Sequence, residues 1–339
     1  MLERLARTQD MNVKEIGSFF VGGRLVRLEG MPVRERVSTP GGPEYRIDPN
    51  GEMVAGQMYV QFVSLEKPRS RHPLLMWHGG GMTGACWEST PDGRPGWQSL
   101  FLRAGFDTYV SDAVERGRAS WAPFPQIYPE APFFRTAKDA WEDTFRFGPR
   151  GSWHADPALR RTYPGLRFPA DAFEAFLAQG VPRWACNDPL TQAAYDALIQ
   201  RLPAGVIILA HSQGSNFALS AALNAPERVR AVIVLEPSGA PDPEKSGAAR
   251  LSGVPHLFVW GDNWQDNEFW RLSRPSAERW REALAAAHCD VTQIDLPLGG
   301  IKGNSHALMA DDNSAEIAAV VLQWLASRGL VEGSDAAAT

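Results

Sequence analysis

A serine stands between two small residues in Ala210-His211-Ser212-Gln213-Gly214. The apolar, β-branched run Val206-Ile207-Ile208-Leu209 leads into it and reads as a buried strand. The stretch Asn216 to Leu223 follows with the spacing of a helix. A serine on such a strand-to-helix turn projects its hydroxyl from the top of a sheet, where it can attack a carbonyl carbon. The turn is crowded, so the residues two before and two after the serine must be small. Here they are Ala210, where glycine is usual, and Gly214. Short matches of this kind also arise by chance, so the weight of Ser212 depends on its partners.

A hydroxyl nucleophile needs a base to take its proton and an acid to hold that base in one tautomer. Of the seven histidines, His306 lies in Gly303-Asn304-Ser305-His306-Ala307, after the last expected strand and before the last expected helix. The chain order serine, acid, histidine puts the base there. His78 and His211 adjoin the serine and are read as shaping the pocket. His256 opens a strand and His288 closes a helix. Two sources of the acid stay open on the residues alone. Glu236 sits at the tip of Ala231-Val232-Ile233-Val234-Leu235, where a carboxylate without a task would pay a desolvation penalty. Asp262 and Asp266 follow Leu257-Phe258-Val259-Trp260-Gly261, the strand that more often supplies such an acid. Donors for an oxyanion are expected from the amide of Gln213 and from the loop His78-Gly79-Gly80-Gly81, whose glycines let backbone N–H groups turn inward.

Positioning these groups needs a sheet. Residues 17 to 65 read as antiparallel strands, with Gly22-Gly23 and Gly41-Gly42 as turns. Strands are then expected at Leu74 to Trp77, Phe106 to Asp112, Val206 to Ala210, Val229 to Leu235, His256 to Trp260 and Val291 to Leu296. Helices are expected at Trp97 to Ala104, near 276 to 287 and at 314 to 327. This alternation predicts a mostly parallel central sheet with helices on both faces. Residues 119–185 interrupt it with 14 of the 34 aromatic residues, many prolines and no clear strand. A bland reading is a surface excursion with its own small core. The sharper one is a cap over the edge of the sheet where ligands bind. The division that follows is a core domain of residues 1–118 and 186–330, a cap insertion at 119–185 and a frayed tail at 331–339.

Composition narrows the partners. The 339 residues carry a net charge of -5 without blocks of like charge, so neither nucleic acid nor an anionic membrane surface is expected. No stretch reaches the roughly 20 apolar residues of a membrane span. Residues 1–7 lack the pattern of a secretory signal, and a cytoplasmic location is expected. Cys86, Cys186 and Cys289 are too few and too scattered for a disulfide framework or a zinc site. No histidine pair has metal-ligand spacing and no Gly-x-Gly-x-x-Gly follows a strand, so no metal or other cofactor is expected.

The chain resembles the bacterial esterase 713-like carboxylesterases over most of its length. The marks are Leu75-Met76-Trp77-His78-Gly79, Met82-Thr83-Gly84, Trp87-Glu88-Ser89-Thr90-Pro91-Asp92-Gly93-Arg94, Arg116-Gly117-Arg118-Ala119-Ser120, Phe145-Arg146-Phe147-Gly148-Pro149, His211-Ser212-Gln213 and Gly303-Asn304-Ser305-His306. The resemblance implies an α/β-hydrolase fold, a homodimer and cleavage of a small-molecule carboxylic ester through an acyl-enzyme. It also implies a glutamate acid after the strand that follows the serine, which selects Glu236, and a first oxyanion amide at Gly80. Adjacent disulfide-bonded cysteines of the group are replaced here by Gly80 and Gly81. The expected triad is therefore Ser212, His306 and Glu236, with Gly80 and Gln213 as the oxyanion hole. Met82, Trp87, Trp121, Phe124, Phe145, Phe147 and Trp153 are the expected walls of a pocket for an apolar or aromatic ester. The same triad would also serve a lactonase, an amidase or a carbon–carbon bond hydrolase, and a binding protein could keep the fold with an unused triad.

Overall fold

The computed structural model describes residues 11–203 and 205–332. Its centre is an eight-stranded sheet in the order β1-β4-β6-β5-β7-β8-β9-β10. The strands are β1 (Val13–Leu28), β4 (Gly51–Leu65), β5 (Leu74–Trp77), β6 (Thr108–Asp112), β7 (Val206–His211), β8 (Val229–Leu235), β9 (His256–Trp260) and β10 (Val291–Asp295). The pairs β1/β4 and β4/β6 are antiparallel. All neighbours from β6 to β10 are parallel. Strands β2 (Arg34–Val37) and β3 (Glu44–Ile47) make a separate exposed hairpin, turned at Gly41 with φ 77°.

The central strands are apolar throughout because both sheet faces are covered. Every residue of β5, β7 and β9 is buried. Their side chains alternate between two cores, as the period of two requires. Leu74, Met76, Ile207, Leu209, Ile233 and Leu235 face one core, which the helices Trp97–Arg103 and Ser314–Ala326 complete. Leu75, Trp77, Ile208, Ala210, Val232 and Val234 face the other, against the helices Asp188–Arg201, Gln213–Asn224 and Glu268–Ala286. Each such Leu, Ile or Val contributes about 1.5–3 kcal/mol relative to exposure. The result is a stiff sheet whose strand ends hold the loops considered below.

Two sequence expectations change. Gly22-Gly23 does not end a strand. Both residues take positive φ, 72° and 80°, yet Val21 pairs with Met58 and Arg24 with Ala55 in one unbroken register. The glycines kink the strand without stopping it, because they alone reach that conformation cheaply. Residues 119–185 do not form a core of their own. Trp141, Phe145, Phe147, Phe168, Phe173 and Phe176 join the cluster that contains Leu74 and Ile207 of the sheet. They pack ring on ring, with Phe147 stacked on Phe168 at 3.8 Å and Trp141 edge-on to Phe173 at 4.9 Å. Only Ala122, Tyr128 and Trp184 make a small separate cluster. Val331 belongs to the main core, so chain order persists past Leu330. The rest of the expected tail, 333–339, and the leader reading at 1–7 lie outside the described residues. Among the described residues no helix is long and apolar enough to cross a membrane, and no group of His, Cys, Asp or Glu could hold a metal ion.

Candidate active site

Ser212 occupies the turn between β7 and the helix Gln213–Asn224, at φ 52° and ψ -117°. A non-glycine residue held there costs on the order of 1–3 kcal/mol, so the surroundings must enforce it. They do so through backbone bonds: the Ser212 N–H donates to Leu235 O at 2.9 Å, and the Ser212 carbonyl accepts from Ser215 N at 3.0 Å. Close packing does the rest. A Cβ on Gly214 would lie 2.6 Å from His78 O and 2.9 Å from Trp77 O, so only glycine lets the helix start against the end of β5.

His306 lies in the segment between β10 and the helix Ser314–Ala326 and is almost fully buried, flanked by Trp270 (ring centroids 4.1 Å apart) and His211 (4.5 Å). Its Nδ1–H donates to Glu236 Oε2 at 3.1 Å. The proton therefore sits on Nδ1, and Nε2, which is buried without a hydrogen-bond partner, carries a lone pair. The His306 backbone is held at both ends, by its N–H to Phe145 O at 3.0 Å and by its O, which accepts from His211 Nε2–H at 2.9 Å. His211 thus orients the loop of His306. Burial lowers the His306 pKa to about 4, against the opposite pull of the hydrogen bond and charge of Glu236. The imidazole is neutral at pH 7.

Glu236 directly follows β8, at φ 51°, and is fully buried. Burial pushes its carboxyl up, but the Arg146 charge and the bonds from His306 and Arg146 outweigh that and hold its pKa at about 2. Arg146 donates from Nη1 to Oε2 at 2.7 Å and from Nη2 to Oε1 at 2.8 Å. The Gly261 N–H also donates to Oε1. A Cβ on Gly261 would stand 2.9 Å from that oxygen, so β9 approaches Glu236 only because it ends in glycine. Asp262 is engaged elsewhere: its Oδ2 accepts from Gly303 N at 3.0 Å and its O from Arg146 Nε at 2.9 Å. Asp266 lines a different surface pocket, with Arg150 and Arg271. Among the described residues the carboxylate on His306 is Glu236.

Two further carboxylates position the loops. Asp112, at the end of β6, accepts from Gly84 N at 2.7 Å, Arg118 N at 2.9 Å and Arg118 Nε at 2.8 Å, tying the loop after β5 to the one after β6. Asp311 accepts from Ser305 N at 2.9 Å, Ser305 Oγ at 2.6 Å and Asn304 Nδ2 at 2.8 Å, bracing the residues just before His306. Arg94 reaches across to the carbonyls of Ala310, Asp311 and Asp312 at 3.0–3.1 Å.

A pocket opens onto Ser212. Gly80, Gln213, His211 and His306 line it together with Met82, Arg135, Phe145, Arg183 and Trp270. A second, largely apolar pocket adjoins it and shares Met82, Arg135 and Phe145, with Phe134, Phe176 and Val181 beyond. Of the seven expected walls, Met82 and Phe145 line these pockets. The other five do not. Trp87 and Phe147 are fully buried in the main core. Trp153 packs against that core beneath Arg160. Trp121 and Phe124 are half exposed and pack on Trp184. Large rings gain most by filling the core, and sequence does not say which ring faces a cavity.

Sequence reasoning also gave no role to Arg146, Gly261, Asp311 or Arg94. Arg146 and Arg94 lie inside stretches that carried the family resemblance, which was the available signal.

Comparisons with known proteins give the family of the chain. Residues 72–264 match the family described as alpha/beta hydrolase fold, and the chain belongs to that family. It is similar to the atomic-resolution structure of a bacterial esterase, with a TM-score of 0.80 and 30% identity, covering 95% of this chain and 98% of that one. It is also 28% identical over 319 residues to a probable secreted lipase of a fungus (Fungal sp., strain ATCC 74256), covering 79% of this chain and 85% of the relative. The chain is a carboxylic ester hydrolase of the esterase and lipase type.

Proposed function

We propose that Ser212, His306 and Glu236 form the catalytic triad, acting on apolar or aromatic esters. His306 Nε2 takes the hydroxyl proton as Ser212 Oγ bonds to the acyl carbon. The N–H groups of Gly80 and Gln213 receive the negative charge that develops on the carbonyl oxygen. The carbon–oxygen bond to the alcohol then breaks, and His306 returns its proton to the departing alkoxide. Water, deprotonated by His306, attacks the acyl-enzyme and releases the acid and Ser212. Glu236 holds the Nδ1 tautomer and balances the imidazolium charge. Residues 119–185 act as a cap, since they supply Phe145, Arg135 and Arg183 to the pocket at Ser212.

The observation that carries this reading is the 3.1 Å bond from His306 Nδ1 to Glu236, which leaves Nε2 unpartnered in the pocket that Ser212 lines. Apolar walls at Met82, Phe145 and Phe176 support the substrate class. The test is turnover of short-chain para-nitrophenyl esters. Ser212→Ala should lose about 10⁴-fold or more in kcat, Glu236→Gln about 10⁴-fold, and Asp262→Asn far less. Undiminished turnover by Ser212→Ala would overturn the nucleophile, and a larger loss in Asp262→Asn than in Glu236→Gln would move the acid.

A further inference from the structure

We infer that the preferred ester carries an anionic group, bound by Arg135 and Arg183 while its apolar part fills the adjoining pocket; this rests on the catalytic reading above. The residues lining the pocket at Ser212 include two guanidinium groups, Arg135 and Arg183, and no carboxylate. An enzyme for wholly neutral esters gains nothing from two cations beside its nucleophile, and desolvating them is costly.

Their existing partners do not use them up. Arg135 Nη1 meets Asp139 at 2.9 Å, with Asp139 turned to solvent outside the pocket. Arg183 Nη2 stands 3.8 Å from Asp188, too far for a hydrogen bond. The Oδ1 of Asp188 is taken by the Gln213 side chain at 3.0 Å. Arg183 Nε is buried with no hydrogen-bond partner. Its Nη1 would lie 3.3 Å from a Cβ on Gly80, which sets the guanidinium against the loop that faces the reacting carbonyl. Arg135 is close enough to His306 to help lower its pKa, and its guanidinium stands over the Phe145 ring at 5.7 Å, at the junction of the two pockets.

Planar forks of N–H donors match a carboxylate in both geometry and charge. A bound carboxylate would pair with the guanidinium groups that line the pocket, and their charge would draw substrate in from solution. The apolar remainder would then lie along Met82, Phe145 and Phe176.

The test compares matched esters in a pH-stat. Monomethyl adipate against methyl hexanoate places the charge on the acyl side. Para-acetoxybenzoate against phenyl acetate places it on the alcohol side. The wild-type protein should favour the anionic member of at least one pair by tenfold or more in kcat/KM. That preference should shrink as salt is raised, through KM and not kcat, because screening acts on binding. In Arg183→Gln and Arg135→Gln the preference ratio should fall tenfold or more. A wild-type ratio near one in both pairs, or a ratio unmoved by salt and by both substitutions, overturns the inference. Loss of hydrolysis of all four esters on Ser212→Ala shows that the catalytic reading stands independently of that outcome.

Discussion

Arg146 and Glu236 form a two-pronged ion pair with no solvent exposure, Nη1 to Oε2 at 2.7 Å and Nη2 to Oε1 at 2.8 Å. One partner comes from the aromatic segment and the other from the tip of β8. The pair therefore fastens residues 119–185 to the carboxylate that orients His306. Glu236 keeps its charge in the interior because Arg146 accompanies it, and its Oε2 still accepts from His306.

Arg146→Met should leave that carboxylate buried with only the imidazole and the Gly261 N–H as partners. Breaking one side of a buried pair costs about 3–5 kcal/mol, so urea unfolding should show a loss of that order. Arg146 also lowers the His306 pKa, so its removal should raise that pKa and move the acid limb of the kcat/KM profile to higher pH. An unchanged limb in a folded Arg146→Met protein would show that the guanidinium charge does not act on His306, while Arg146→Lys, which keeps the charge, should move the limb less.

Gly214→Ala should disable Ser212 without touching its hydroxyl. The added Cβ meets two backbone oxygens, of His78 and Trp77, neither of which can swing aside. We expect a loss of about 1–3 kcal/mol in stability and at least a tenfold fall in kcat as the turn shifts. Gly253→Ala, with nothing within 4 Å of its Cβ, is the control. Equal behaviour of the two variants would show that the contact at the turn is not what places the serine.

Acid should act on stability and catalysis by the same groups. His78, His256 and His306 are buried and held at about 4, burial being the main cause, against an ordinary value of 6.5. Between pH 6.5 and 4 the unfolded chain binds protons that these three native imidazoles refuse. Stability is therefore full above pH 6.5 and falls on acidification, each group adding at most about 1.4 kcal/mol per pH unit. Asp311, pushed up to about 7 by burial, works the other way, as do Glu115 and Asp188, whose carboxyls burial also raises. Against them stand five histidines, since burial lowers His72 and His211 as well. Below pH 4.5, Glu236, held at about 2, adds to the loss. Melting temperatures measured from pH 8 to 4 should drop below pH 6.5, and kcat/KM should show an acid limb near pH 4. A limb near pH 6.5 would mean that His306 is solvated in the working enzyme.

The sequence by itself determined the sheet. Largely apolar runs such as Val229–Leu235 and His256–Trp260 are strands in the structure at the expected residues, because a strand buried on both faces leaves a nearly continuous apolar signal. It also singled out Ser212 and His306, since a crowded turn restricts residue types locally and chain order restricts the base. On the residues alone Glu236 and Asp262 stay level, and only the family resemblance favours Glu236. The tertiary structure puts Glu236 on His306 and turns Asp262 to Gly303, because the loops after β8 and β9 run differently. It also placed Arg146 across from Glu236, 90 residues away in the chain. Positions such as Gly261 and Gly214 explain the difference. Their constraint is a contact between distant backbones, and nothing in the local pattern of residues records that distance.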